Sequence, residues 1–386
     1  MNPRLRSILI VIGLLTVVIV AIILIPRGLS LYYQSRGGQH IDYVMRSMEG
    51  IQELVCEALP QSNQTAIGEV ERGIADLNRA VRLNRNNSQA FYYLGKANCL
   101  LGEPNEAKVN YLRYTELRAD NPLGYIGLGF ANEELGKIDS AVEAWKEGGV
   151  GTDDFLNVGR QALDNNKYDE AWKWYGRASQ LSPNDGRVFF EIGLLYEELG
   201  DWNSALTTYH QSLTDKSSEM RGISSLYYRV GKIYSESISI PDFIIAKESF
   251  NAALIRDDFI NDWEKADSYY RLGAILRNEG RPPEEFITYF EQAQEIYPLH
   301  VFAHILLGVT YYAINPDDFR AEEEIQIALD LDPKNKWGYF HLGEFYRKKG
   351  RIEESIVLFE KALEIDPSFE RAQRSLQSIL IENQID

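Results

Sequence analysis

Eight times along this chain a large aliphatic residue is followed by glycine: Leu94-Gly95, Leu128-Gly129, Val158-Gly159, Ile192-Gly193, Val230-Gly231, Leu272-Gly273, Leu307-Gly308 and Leu342-Gly343. Successive pairs lie 34, 30, 34, 38, 42, 35 and 35 residues apart. That interval is far longer than the period of one helix or strand, and it fits a two-helix unit stacked in series. No other feature narrows the fold so much. Glycine inside a helix costs about 1 kcal/mol relative to alanine, so its recurrence at one register marks a place where a side chain would obstruct packing.

Other positions keep step. With the pair counted as seven and eight, an aromatic stands at position four in Phe91, Tyr125, Phe155, Phe189, Tyr227, Tyr269 and Tyr339. Glycine returns at position fifteen as Gly102, Gly136, Gly200, Gly280 and Gly350, the left-handed residue that a helix end prefers. A small residue recurs near position twenty as Ala107, Ala141, Ala171, Ala205, Ala246, Ala321 and Ser355. Pro183, Pro298, Pro333 and Pro367 close units, because proline cannot continue a helix.

This pattern resembles the tetratricopeptide-repeat (TPR) family over residues 88–367, in about eight units. The resemblance implies an all-α fold, a right-handed superhelical solenoid of α-hairpins. One hairpin cannot bury its apolar face alone, so neighbours must stack. Residues 40–87, with helical patterns at 40–58 and 69–83, read as a degenerate capping hairpin, and 368–386 as a C-terminal capping helix. "KEGGVGTDD" at 146–154 shortens one unit. "TDKSSEMRG" at 214–222, "SISIPDF" at 237–243 and "RDDFINDWEK" at 256–265 lengthen others, which predicts either a bend between about 214 and 265 or plain loop growth.

The N-terminus carries a different signal. After a tail at 1–7, residues 8–25 are uncharged, with only Gly13 and Thr16 interrupting the large apolar residues and Ala21. A helix of that length spans about 27 Å, close to the roughly 30 Å hydrocarbon core of a bilayer. The run exceeds the about 7–15 apolar residues of a signal peptide and ends in Ile25-Pro26-Arg27 without a small-residue cleavage site. A single-pass anchor into the lipid bilayer is therefore expected, with 26–39 as a linker. Arg4 and Arg6 precede the span while Arg27, Arg36 and Arg46 follow it, so charge orients it only weakly. The short arginine-bearing tail points to a repeat body on the exported side.

Net charge is −17, which excludes a general nucleic-acid surface. Cys56 and Cys99 are far apart and form no CxxC, so by spacing they specify neither a disulfide scaffold nor a zinc site. His300 and His304 stand at i, i+4, a zinc-compatible spacing, but His304 takes the aromatic position four and no third ligand accompanies them. Adjacent carboxylates such as Glu133-Glu134 and Glu353-Glu354 point different ways on a helix and read as solvated faces. "GYIGLGF" at 124–130 lacks the third glycine and the preceding strand of a dinucleotide loop. No catalytic motif and no cofactor are expected, and the whole chain reads as helices with no room for a catalytic domain.

The resemblance further implies that the first helix of each unit lines an inner face through positions two, five, nine and twelve. Those positions and the adjoining position six give a partner-binding groove of Tyr92, Lys96, Arg160, Phe190, Tyr228, Arg229, Lys232, Tyr270, Arg271, Arg277, Phe340 and Arg347. Aromatics interleaved with cations suit an extended peptide with acidic or C-terminal carboxylate groups. The lysine-five, asparagine-nine carboxylate clamp of chaperone-binding relatives is absent. The expected function is a non-catalytic, membrane-anchored scaffold for a protein or peptide. Alternatives are an envelope-biogenesis regulator resembling the anchored repeat proteins of lipopolysaccharide assembly, though without their CxxC metal domain, and the non-catalytic subunit of a glycosyltransferase-type complex.

Overall fold

A computed structural model describes residues 12, 14–46, 55–214, 222–237 and 241–382; the expected tail at 1–7, part of the span and of the capping segments, and most of 214–222 lie outside them. Among the described residues the chain is all helix and turn, in two units covering 1–184 and 185–386. The first unit holds α1 (Ile25–Arg46), α2 (Gln64–Leu83), α3 (Ser88–Leu100), α4 (Pro104–Leu117), α5 (Pro122–Glu134), α6 (Ile138–Glu147), α7 (Thr152–Asp164) and α8 (Tyr168–Leu181). The second holds α9 (Gly186–Glu198), α10 (Trp202–Leu213), α11 (Ile223–Lys232), α12 (Phe243–Arg256), α13 (Asp262–Asn278), α14 (Pro283–Ile296), α15 (Val301–Ile314), α16 (Arg320–Leu331), α17 (Lys336–Lys348), α18 (Ile352–Ile365) and α19 (Glu370–Glu382). From α3 to α18 they pair as antiparallel hairpins, α3 with α4 and so on.

Local sequence sets each hairpin. Asn87, Asn121, Asp185, Asp201, Asp242, Asn261 and Asn335 cap helix starts by accepting a backbone N–H, which satisfies a donor that the helix itself leaves open. Gly350 turns the α17–α18 corner at φ +75°. Within the hairpins, the glycine of the periodic pair lies under a ring from the partner helix, except at Gly308, which meets the Ala321 carbonyl and Ile325. Tyr111 covers Gly95, Tyr175 covers Gly159, Tyr209 covers Gly193, Phe250 covers Gly231, Phe290 covers Gly273 and Phe359 covers Gly343. A Cβ on Gly95 would stand 2.7 Å from Tyr111 Cε1, inside van der Waals contact. These aromatics recur 16 to 19 residues after the glycine, a register that the sequence reading did not use.

The N-terminal element differs from expectation. A π-helical turn, Val20–Leu24, runs directly into α1, so that Leu14–Met45 is one helix, long and apolar enough to cross a membrane. Its apolar side chains from Leu14 to Leu24 are exposed. The segment 26–39, read as a linker, is helical and packed. Gly37 lies against Leu77 and the Gly73 carbonyl of α2, where a Cβ would meet Leu77 Cγ at 2.7 Å. Gly37, inside the expected linker, thus serves close approach of two helices. Ser30 donates to the Ala80 carbonyl (2.8 Å) and accepts from Asn87 Nδ2 (3.0 Å), and Arg36 pairs with Asp76 at 3.0 Å. Ile41, Val44 and Met45 complete a core with Val70, Leu77, Leu94 and Leu100.

Cys56 and Cys99 form a disulfide across 43 residues. Spacing alone had assigned them no bond. Folding brings them together because Leu59 N–H donates to the Leu100 carbonyl (2.8 Å), laying the segment before α2 along the end of α3.

Two of the insertions are structural. Residues 262–265 add a turn to the start of α13, which has 17 residues where α17 has 13. The preceding loop is pinned to α11: Asp258 accepts from the Ser224 N–H and hydroxyl (2.8 Å each), and Ile260 N–H donates to Ser225 (2.9 Å). α11 itself runs on through a π-helical segment, Ile233–Ser237.

Candidate functional site

The predicted groove residues divide into two sets according to what the fold gives them as partners. In the second unit, the added turn of α13 brings Glu264 beside α11, and Arg229 bridges Glu197 (3.1 Å) and Glu264 (3.3 Å). Burial alone would lower the Arg229 pKa, but these carboxylates raise it. One turn along, Asp267 accepts from the Tyr228 hydroxyl (2.8 Å) and pairs with Arg271 and with His300 Nε2 (3.1 Å). Arg271 also pairs with Glu236. Only 5% of the Asp267 side chain and 12% of the Arg271 side chain are exposed. Burial pushes the Asp267 carboxyl up, yet its bonds to His300 and Arg271 hold it below the ordinary carboxylate range. Tyr228 is fully buried, and Tyr270 stacks on His300 at 5.0 Å. These side chains form a framework of pairs joining α11, α13 and α15, with their charges already neutralised.

A second set lies further along the same unit. Arg277 (α13), Tyr312 (α15), His341 and Lys348 (α17) line a cavity of about 460 Å³ together with Phe286, Ile325 and Phe345. Trp337 stacks on His341 at 6.1 Å, and the Arg371 guanidinium of α19 lies 5.2 Å over the Trp337 ring. Lys348 sits 5.3 Å over Tyr312. Desolvation and then the Arg371 charge lower the Arg277 pKa. Burial, then Arg277, Arg371 and Lys348, push His341 down to about 3. The cavity's one carboxylate, Glu344, accepts from Ser375 (2.6 Å) and lies 3.9 Å from Arg347. Sequence reading named Arg277 and missed His341, Lys348 and Arg371. Cations at the ends of consecutive first helices were the available signal.

The remaining predicted residues are placed as follows. Lys96 lies over Tyr92 (5.3 Å), and Tyr92 packs on Tyr114. Arg160 bonds Asn157 at 3.0 Å. Phe190 packs on Tyr209 (5.9 Å) and Lys232 is half-buried on α11. Phe340 is buried among Phe359 and Phe369, and Arg347 reaches Ser378 at 3.2 Å. The first unit has its own cavity of about 580 Å³, lined by Glu57, Glu133, Glu134, Trp174 and Arg177. There Arg177 is paired with Glu133 at 2.9 Å and stacked 4.4 Å over Trp174.

The two histidines at i, i+4 do not converge. His300 caps α15, its Nδ1 accepting the Ala303 N–H (3.1 Å), while His304 reaches Glu324 (2.6 Å) and the Pro298 carbonyl (2.9 Å). Among the described residues no group of three or more metal-ligating side chains gathers.

Comparison with known proteins returns repeats in segments between residues 159 and 369. Tetratricopeptide-repeat profiles match residues 159–200, 187–215, 266–298 and 337–369. A TPR repeat-containing protein of Methanocaldococcus jannaschii is 22% identical over 325 residues, covering 72% of this chain and 55% of its own length. Human protein O-mannosyl-transferase TMTC3 is 28% identical over 153 residues, or 38% of this chain and 17% of that protein. The chain thus spans about half or less of the relatives it matches. Among solved structures, YrrB, described as a TPR protein with an unusual peptide-binding site, aligns with a TM-score of 0.41 and 21% identity, covering 53% of this chain and 97% of that one. Pseudomonas aeruginosa pilF aligns with a TM-score of 0.49 and 12% identity, covering 59% and 97%.

Proposed function

The chain is a tetratricopeptide-repeat protein whose N-terminal helix is long and apolar enough to cross a membrane, and on that premise we propose that it is a non-catalytic scaffold holding a protein or peptide partner close to the bilayer. The observation that carries this reading is the continuity of the apolar helix with α1 and the docking of α1 on α2 and α3. A flexible tether would let the repeats wander. A helix that leaves the membrane and packs at Gly37 against Gly73 fixes the first unit's repeats at a set height and orientation instead.

The body belongs on the exported side. The Cys56–Cys99 disulfide supports this placement, because such bonds persist in oxidising compartments and are reduced in most cytosols. The exposed apolar face of 14–24 anchors it in lipid.

Two measurements test the reading. In intact cells, a membrane-impermeant protease should reach the repeat body, and alkylation without reductant should leave Cys56 and Cys99 unlabelled. Free thiols in a protected body would refute the exported placement. Cross-linking in native membranes should capture a protein partner that is lost when the repeats are deleted; recovery of the anchor and repeats alone would refute the scaffold.

A further inference from the structure

The end of the first unit nearest the membrane span carries a charge opposite to that of the chain as a whole. α1 and α2 are antiparallel: Glu69 bonds His40 (2.7 Å), Asp76 pairs with Arg36 (3.0 Å), and the Ala80 carbonyl accepts from Ser30 (2.8 Å). Asn87 Nδ2 donates to the same Ser30 hydroxyl at 3.0 Å, so the turn from α2 to α3 is held at the level of Ser30. Ser30 follows Ile25, the last residue of the apolar run, by five residues, about 7.5 Å along a helix. The headgroup layer of one leaflet is about 5–7 Å deep, from a core of about 30 Å in a bilayer of about 40–45 Å. The turn therefore stands at the headgroups, although 60 residues of chain separate Arg85 from Ile25.

The charges along this hairpin are sorted. The carboxylates of α1 and α2 are Asp42, Glu69, Glu71 and Asp76, and none lies between the Arg36–Asp76 pair and the bilayer. On the bilayer side stand Arg27, Arg79, Arg82 and Arg85, with no acidic residue in 25–36 or 77–90. Arg79 shares Asp76 with Arg36 and lies over the Tyr33 ring. Arg27, Arg82 and Arg85 are exposed and meet no carboxylate among the described residues. The corresponding turns at 118–121, 182–185, 332–335 and 366–369 each hold an aspartate; this one reads Asn84-Arg85-Asn86-Asn87 and caps α3 with asparagine. Apolar exposure also continues past the run, through Leu29, Leu31 and Tyr32 of α1 and Leu83 of α2. Cations, a tyrosine and exposed leucines together are the composition of a membrane–water interface.

We propose that Arg27 at the root of α1, with Arg82 and Arg85 at the α2–α3 turn, forms a collar that binds the phosphates of anionic phospholipids around the span. The collar rests on the membrane anchor proposed for this chain and adds a second, lipid-selective contact to it. A guanidinium fork takes a phosphate through two parallel hydrogen bonds. Its long stem lets the charge reach headgroups from just above them. A span alone leaves the body free to tilt; a contact made by a second helix sets which face of the first unit looks along the membrane.

Dependence on lipid composition separates this proposal from a purely structural role. Arg82 stands in the last turn of α2, where a cation offsets the helix dipole, and that role needs no lipid. The experiment places the full chain in nanodiscs of phosphatidylcholine alone, or of phosphatidylcholine and phosphatidylglycerol in equal parts. It reads the melting temperature in each and, by mass spectrometry, the lipids that the chain retains on transfer to detergent. The variants are Arg82→Gln/Arg85→Gln, Arg82→Lys/Arg85→Lys, and Lys361→Gln/Arg374→Gln, which removes the same charge from exposed positions in the second unit.

The parent should retain phosphatidylglycerol in preference to phosphatidylcholine and melt higher when it is present. The glutamine variant at the turn should lose about fivefold or more of that preference, the scale of one interfacial charge, and gain nothing from phosphatidylglycerol, whatever its own starting stability. The second-unit control should match the parent. A lysine variant that behaves as the parent assigns the contact to charge alone, and one that behaves as the glutamine variant assigns it to the guanidinium fork; both support the collar. No preference in the parent, a preference kept by the glutamine variant, or an equal loss in the control would overturn it. Should the glutamine variant fail to fold, the parent decides alone: a melting temperature that does not respond to phosphatidylglycerol removes the collar. Release of the parent from membranes by alkaline carbonate would refute the anchor and the collar with it, whereas retention without lipid preference would refute the collar only. Cross-linked partner capture is a separate readout and reports on the scaffold.

Discussion

Gly343 on α17 and Phe359 on α18 lie so close that a Cβ built on the glycine would stand 2.8 Å from the phenyl Cε1. Phe359 is fully buried, so the ring has nowhere to retreat. Gly343→Ala should therefore destabilise the second unit by up to about 2 kcal/mol. Overpacking costs about 1–3 kcal/mol, and the gain in helix propensity returns about 1. Gly68, in the interior of α2, faces open space; Gly68→Ala should stabilise by up to about 1 kcal/mol. Thermal denaturation of the two variants checks both signs, and equal shifts would remove close packing as the reason for the periodic glycine.

Reduction of the Cys56–Cys99 disulfide should loosen the first unit. A cross-link over 43 residues restricts the unfolded chain enough to contribute about 4 kcal/mol in the chain-entropy description. Hydrogen exchange with and without reductant locates the effect: amides of α2 and α3 should lose protection, while those of α17 and α18 should not.

The Asp267 network predicts a loss of stability when its buried carboxylate is removed. Asp267→Ala leaves Arg271 and His300 short of a buried partner and should cost about 3–5 kcal/mol. Urea unfolding followed by exchange at α13 reads this directly. A change under about 0.5 kcal/mol would show that water replaces the carboxylate at no expense.

His304 gives a pH dependence with a definite sign. Burial lowers its pKa, but the hydrogen bonds to Glu324 and the Pro298 carbonyl raise it further, so the net value lies above the ordinary 6.5. A group raised on folding contributes stability that is complete below its unfolded value and is lost as pH rises through the folded one. His304→Gln should thus cost more near pH 5.5 than near pH 8.5. Melting temperatures of parent and variant across that window should converge as pH rises; a constant gap would mean that the imidazole acts through shape alone.

The sequence by itself determined the hairpin. The Leu-Gly pair, the turn glycines and the unit-closing prolines act within one unit, between residues less than forty apart, and a repeated local pattern declares itself by repetition. The apolar run at the N-terminus was equally plain, since length and composition alone decide whether a helix matches a bilayer. Tertiary structure decided everything that depends on which surface faces which. Gly37 and Gly38 fall in the segment expected as a linker between span and repeats; that it is packed helix follows from the arrival of α2 at Gly37. Cys56 and Cys99 carried no spacing rule, and their bond follows from the path of the segment before α2. Arg271 and Arg277 lie six residues apart on one helix and looked alike. The first meets Asp267 and Glu236, the second meets Arg371 and His341. Charge acts through space, and Glu236 and Arg371 come from other hairpins, so whether an arginine meets a carboxylate or another cation is settled by stacking as well as by register.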